Sequence, residues 1–109
     1  QEIYRSGRVS EAETTAQISA TSQESGELLC PHSAVGVKVA NDQRVTKTPM
    51  VTLATAHPAK FPAAVEDATD ICPSLPSSMA DLYERTERLT RMPNDLALII
   101  KHIKENRSQ

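Results

Sequence analysis

Tryptophan is absent from this sequence, and Phe and Tyr together supply only 3% of its 109 residues. With 39% of residues apolar, a core has to be assembled from Val, Ile, Leu and Ala, without large aromatic anchors. No apolar run nears the roughly 18 residues that a membrane span needs, so no membrane partner is expected. Charge of one sign is missing too. A net charge of −2, with twelve scattered Lys and Arg, leaves no basic field for a nucleic-acid partner. The opening residues Gln1-Glu2-Ile3-Tyr4-Arg5 lack the apolar core of a signal peptide. They also lack an initiator Met, so a piece of a longer chain is expected. The two cysteines, Cys30 and Cys72, have no CxxC spacing and read as idle thiols of a reducing cytosol before a disulfide or a metal site. A cytoplasmic protein with no metal is the expectation. GxxxxGK[ST], HExxH and GxSxG are all absent, which removes the commonest phosphate-loop, metalloprotease and hydrolase signatures.

What is present centres on Met50-Val51-Thr52-Leu53-Ala54-Thr55-Ala56-His57-Pro58-Ala59-Lys60-Phe61-Pro62. Its opening run is apolar and β-branched, which predicts a buried strand over about 50–55. His57-Pro58 breaks it, because proline lacks an amide donor and holds the preceding residue extended. Phe61, Ala64, Val65 and Ala68 then recur at helical spacing, predicting a helix over about 61–69. Strand, polar turn and helix in that order form the edge where α/β sheets hold ligands. The turn carries a hydroxyl, an imidazole and an ammonium: Thr55, His57 and Lys60.

Around that stretch, residues 1–9 read as an extended lead-in. Ser10 and Glu13 fit a capping box, and Gly26 suits the end of the helix they begin. That helix has a poor inward face of Ala12, Ala16, Ile18 and Ala20, so it is expected to bury little and to lie on a surface. Pro31 suits the first turn of a second helix. Gly36 inside it costs about 1 kcal/mol against alanine, which implies that something packs close to its backbone. Ser78 and Asp81 suggest a further capping box, and Leu89–Met92 a short extended piece. Asn94 is a good N-cap for a last helix over about 95–106, where Leu96, Ile99, Ile100 and Ile103 give the cleanest apolar stripe in the chain.

One strand among four or five helices has nowhere to satisfy its backbone donors and acceptors. Its sheet must therefore come from residues outside this chain, within a larger α/β protein. On residue chemistry alone the site candidates stay open. Thr55 reads first as a β-former or turn cap, and His57 as a loop imidazole bonded to backbone. Lys60 opposes the helix dipole unless a negative group is near, a mild hint of an anionic ligand. His32 favours packing or an amide contact.

Thr55-Ala56-His57-Pro58-Ala59-Lys60-Phe61, with Pro31-His32-Ser33-Ala34-Val35-Gly36 some twenty residues earlier, resembles the C-terminal part of the threonine synthase family. The likeness continues through Leu75-Pro76, an acidic-basic helix and Met92-Pro93-Asn94-Asp95-Leu96, covering about residues 25–105. Cys30 departs from it, since the family commonly has an acidic residue before Pro-His. That substitution implies the loss of a good helix N-cap.

The resemblance implies the C-terminal, mostly helical part of a fold type II pyridoxal-phosphate (PLP) enzyme of α/β class, with the strand near 50–55 in a larger sheet. It implies residues 1–26 as lead-in and surface helix, and 27–109 as part of the PLP-binding domain. It also implies a PLP-dependent lyase that turns O-phospho-L-homoserine and water into L-threonine and phosphate. Thr55 would meet the pyridine nitrogen, with His57 and Lys60 along the same edge and their roles unassigned. The Schiff-base lysine belongs upstream of this chain. No catalytic residue is expected in this segment, and its partners are the upstream part of the same enzyme and O-phosphohomoserine. The alternatives are a phospho-lyase on the same scaffold, giving 2-oxobutyrate, and a non-catalytic interaction module.

Overall fold

Ser10 opens the first helix as its sequence demands. In a computed structural model of the protein, which describes residues 4–45 and 47–107, α1 spans Glu11–Ser25. The Glu13 amide donates to Ser10 Oγ at 3.3 Å, and the Ser10 amide donates to the Glu13 carboxylate at 2.8 Å. The bonds to Ser10 hold the Glu13 carboxyl below its ordinary pKa, because they favour the charged form. Gly26, at φ 76°, ends the helix and donates its amide to Ser22 O, a left-handed stop that a Cβ would strain.

The chain divides into two compact units, Gln1–Ser78 and Met79–Gln109. In the first, α1 packs against both α2 (Pro31–Gln43) and α3 (Pro62–Thr69). The face of α1 expected to bury little supplies Ile18, the largest fully buried side chain. Cys30, Ala34, Ala59 and Val65 complete the apolar interior. Small residues let the helices approach closely and leave little volume to fill.

Two glycines show what lies on α2. A Cβ at Gly7 would stand 2.8 Å from Val39 Cγ1, so the lead-in runs along that helix, and Gln43 Nε2 bonds Ser6 O at 3.1 Å. A Cβ at Gly36 would stand 3.1 Å from Thr52 Cγ2. This is the close approach that a mid-helix glycine implied, and the neighbour is the 50–55 segment.

That segment is not a strand. No strand occurs among the described residues, and Val51 and Leu53 are 81% and 77% exposed. A strand is defined by a ladder, and the described residues of this chain offer 50–55 no partner edge. The stretch carries no regular secondary structure and presents Met50, Val51 and Leu53 to solvent.

Downstream, the predicted helix over 61–69 separates into a 3-10 turn, Pro58–Lys60, and α3 proper. Proline at the first position of each sets φ without losing a needed donor. Asp70, at φ 57°, closes α3 with its amide on Glu66 O. Where Ser78 and Asp81 suggested a helix start, the chain makes two short 3-10 turns, Ser77–Met79 and Leu82–Glu84. The Asp81 carboxylate takes the Arg85 guanidinium at 2.5 Å. Residues 89–92 carry no regular structure.

In the second unit α4 spans Leu96–Asn106. Its cap is Asp95 rather than Asn94, because the Asp95 carboxylate accepts both the Ala97 and Leu98 amides, at 2.8 and 3.1 Å. None of its residues is buried, and Leu96 is 73% exposed. Among the described residues no helix is long and apolar enough to cross a membrane.

Candidate functional site

The first turn of α2 and the end of the 50–55 segment meet at a small polar cluster. Cys30 is the helix cap. Its sulfur accepts the Ser33 amide at 3.4 Å and lies 3.2 Å from Ser33 Oγ. The cap that a cysteine here was expected to forfeit is therefore made, by sulfur in place of a carboxylate oxygen. Both residues are sealed from solvent.

Ser33 reaches across to the segment, where its Oγ accepts the Thr55 amide at 3.0 Å. Thr55 Oγ1 lies 4.0 Å from Cys30 Sγ, the outer limit of a bond to sulfur. Burial alone would raise the Cys30 pKa. Bonds from the Ser33 side chain and amide, the Thr55 hydroxyl and the Ala56 amide outweigh that, and the thiol sits below its usual range. Donors aimed at sulfur favour the thiolate.

Thr55 is nonetheless exposed as a residue, with its amide bonded inward to Ser33. His57 caps the following 3-10 turn, its Nδ1 accepting the Ala59 amide at 3.2 Å. In the neutral ring that places the proton on Nε2. Lys60 Nζ stands 5.6 Å from the centroid of the Phe61 ring, a cation–π separation. The Phe61 ring also packs on His32 at 4.9 Å between centroids. Thr55 is thus tied to α2, whereas His57 and Lys60 belong to the turn that follows.

Sequence reasoning passed over Ser33 and Phe61. The cue for Ser33 was its distance from Cys30, since N-cap and third helical residue is the spacing at which a cap meets an amide.

Residues 33–103 match the family described as "Threonine synthase, C-terminal". The chain belongs to that family. It is 48% identical over 99 residues to the threonine synthase of Pseudomonas aeruginosa, covering 89% of this chain and 21% of that protein. To threonine synthase-like 2 of Homo sapiens it is 36% identical over 94 residues, covering 84% and 19% respectively. Among solved structures it resembles the X-ray structure of PLP-bound threonine synthase from Brucella melitensis. That likeness has a TM-score of 0.79 at 43% identity, over 94% of this chain and 22% of that one. The chain spans about a fifth of the length of the curated relatives it matches. As a threonine synthase C-terminal segment it has the fold of the corresponding part of that solved enzyme, built among the described residues from helices and irregular backbone.

Proposed function

We propose that this chain works as the C-terminal part of a cytoplasmic threonine synthase, a PLP-dependent lyase that converts O-phospho-L-homoserine and water into L-threonine and phosphate. Its partner in that role is the upstream part of the same enzyme, which carries the Schiff-base lysine. PLP, when bound, supplies an electron sink for the substrate's α-carbon.

The observation that carries this reading is Thr55, an exposed residue whose amide is already satisfied by Ser33 at 3.0 Å. Its hydroxyl is a neutral donor, and the other polar groups on that cluster are Cys30 and Ser33. Such a donor set suits a pyridine nitrogen, because a hydroxyl donates without forcing a proton onto the ring as a carboxylate would. Thr55 would hold that nitrogen, with the Nε2–H of His57 and the ammonium of Lys60 along the same edge. Lys60 is not the imine lysine, and its position over Phe61 suits packing. Residues 50–55 would join the sheet of the upstream part, which would satisfy their backbone groups. Residues 27–109 would then belong to the PLP-binding domain, with 1–26 leading into it.

The test is made in the complete enzyme carrying these residues. Threonine with phosphate is the expected product of O-phosphohomoserine, and 2-oxobutyrate with phosphate would overturn the reaction in favour of a phospho-lyase. Thr55→Ala is expected to weaken PLP binding about tenfold, the scale of one lost hydrogen bond, with the far-ultraviolet spectrum unchanged. Wild-type affinity and cofactor absorbance in that variant would refute the role of Thr55.

A further inference from the structure

We infer that Cys30 and Ser33 are positioning residues for Thr55, fixing its backbone and aiming its hydroxyl from the first turn of α2. The inference rests on the reading of Thr55 as the partner of the PLP ring nitrogen.

A stretch without a ladder leaves its last residue loose about φ, ψ and χ1. Something other than a sheet must hold Thr55, and two contacts from α2 show what does. The Thr55 amide is bonded to Ser33 Oγ at 3.0 Å, and Thr55 Oγ1 lies 4.0 Å from the Cys30 sulfur. Both anchors are rigid, since Ser33 is 2% and Cys30 1% exposed and they are bonded to each other. Catalytic and binding groups held this way keep their geometry because the supporting rotamers are locked by packing.

The hydrogens can be assigned with each used once. The Ser33 hydroxyl accepts from the Thr55 amide and donates to Cys30 Sγ, which also takes the Ser33 amide. In the protonated thiol the S–H is then left to donate to a lone pair of Thr55 Oγ1, 4.0 Å away, the reverse of the bond that a thiolate would accept. With that lone pair engaged by the thiol, the Thr55 O–H is free to turn outward. A hydroxyl whose proton already points to solvent is prepared to donate to an acceptor nitrogen without reorganising.

The experiment uses the complete enzyme loaded with PLP labelled with 15N at the ring nitrogen, reading that nucleus by NMR alongside PLP affinity. Thr55→Ala is expected to move the ring-nitrogen resonance. Ser33→Ala and Cys30→Ala should move it in the same direction and weaken PLP binding about three- to tenfold, the scale of one net hydrogen bond. Cys30→Ser, which keeps both the cap and a donor, should restore the wild-type resonance. If Thr55→Ala leaves the resonance in place, the reading of Thr55 itself fails. If Thr55→Ala moves it but folded Ser33→Ala and Cys30→Ala do not, that reading stands and the positioning role is overturned alone. Should the alanine variants not fold, the wild-type Cys30 13Cβ signal decides: it is expected to shift when PLP is added to apoenzyme, and an unmoved signal overturns the proposal.

Discussion

The helices α1 and α4 invert what their sequences advertise. α4 has the cleanest apolar stripe in the chain yet buries none of its residues, while α1, mostly Ser, Thr, Ala and Gln, packs against two helices and supplies the largest buried side chain. An amphipathic pattern says that a face wants cover; it does not say which polypeptide provides it. Small residues, by contrast, let α1 sit close enough to its neighbours for a single isoleucine to matter.

The sharpest way to break this contrast is to cut each helix at its best apolar residue. Ile18→Ala is expected to destabilise the first unit by about 2–5 kcal/mol, a buried-residue truncation with little room to collapse. It would be measured as lost amide-exchange protection across α1, α2 and α3. Ile100→Ala, at a position 42% exposed, should stay within about 0.5 kcal/mol in the same chain. Equal effects would show that α4 buries its stripe after all.

Removing the caps refines the comparison at smaller scale. Ser10→Ala and Asp95→Ala should each cost about 1 kcal/mol. Loss of protection should spread from α1 to its two partners in the first case and stay within α4 in the second.

Gly36→Ala tests how firmly the extended segment is held. Alanine gains up to about 1 kcal/mol of helix propensity, set against Thr52 Cγ2 at 3.1 Å. Because 50–55 has no ladder, the Thr52 methyl is expected to move aside and α2 to become more stable, visible as a shifted methyl resonance. A weakened α2 would mean the segment is rigid.

The smallest expected effect is electrostatic. The Cys30 thiol has a folded pKa below its ordinary 9.0, so its contribution to stability is fully present above 9.0 and is lost as pH falls through the folded value. Stability of the first unit should therefore rise as pH climbs from the folded value to 9.0, and Cys30→Ser should remove the rise.

Local chemistry was readable where it is self-contained. The Ser10–Glu13 box, the Gly26 stop, Pro31 at a helix start and the close neighbour of Gly36 all depend on residues a few positions apart or on a void only glycine leaves. The extent of α4 was readable too, although its cap lies one residue later, on the carboxylate that reaches two amides. What depends on a partner was not readable as structure. Residues 50–55 have strand composition and, among the described residues, no edge to pair with, so composition alone overstated them. In the candidate site Thr55, His57 and Lys60 stood out as a hydroxyl, an imidazole and an ammonium beside a proline. Ser33 did not, because its part is to hold the Thr55 amide across 22 positions, and no local periodicity encodes such a contact.

The two thiols differ in one further respect that is useful at the bench. Cys30 is sealed while Cys72 is exposed, so on this chain a maleimide dye or spin label would attach at a single address without mutagenesis. That native handle, just past α3, offers a ready-made reporter of the surroundings of this segment.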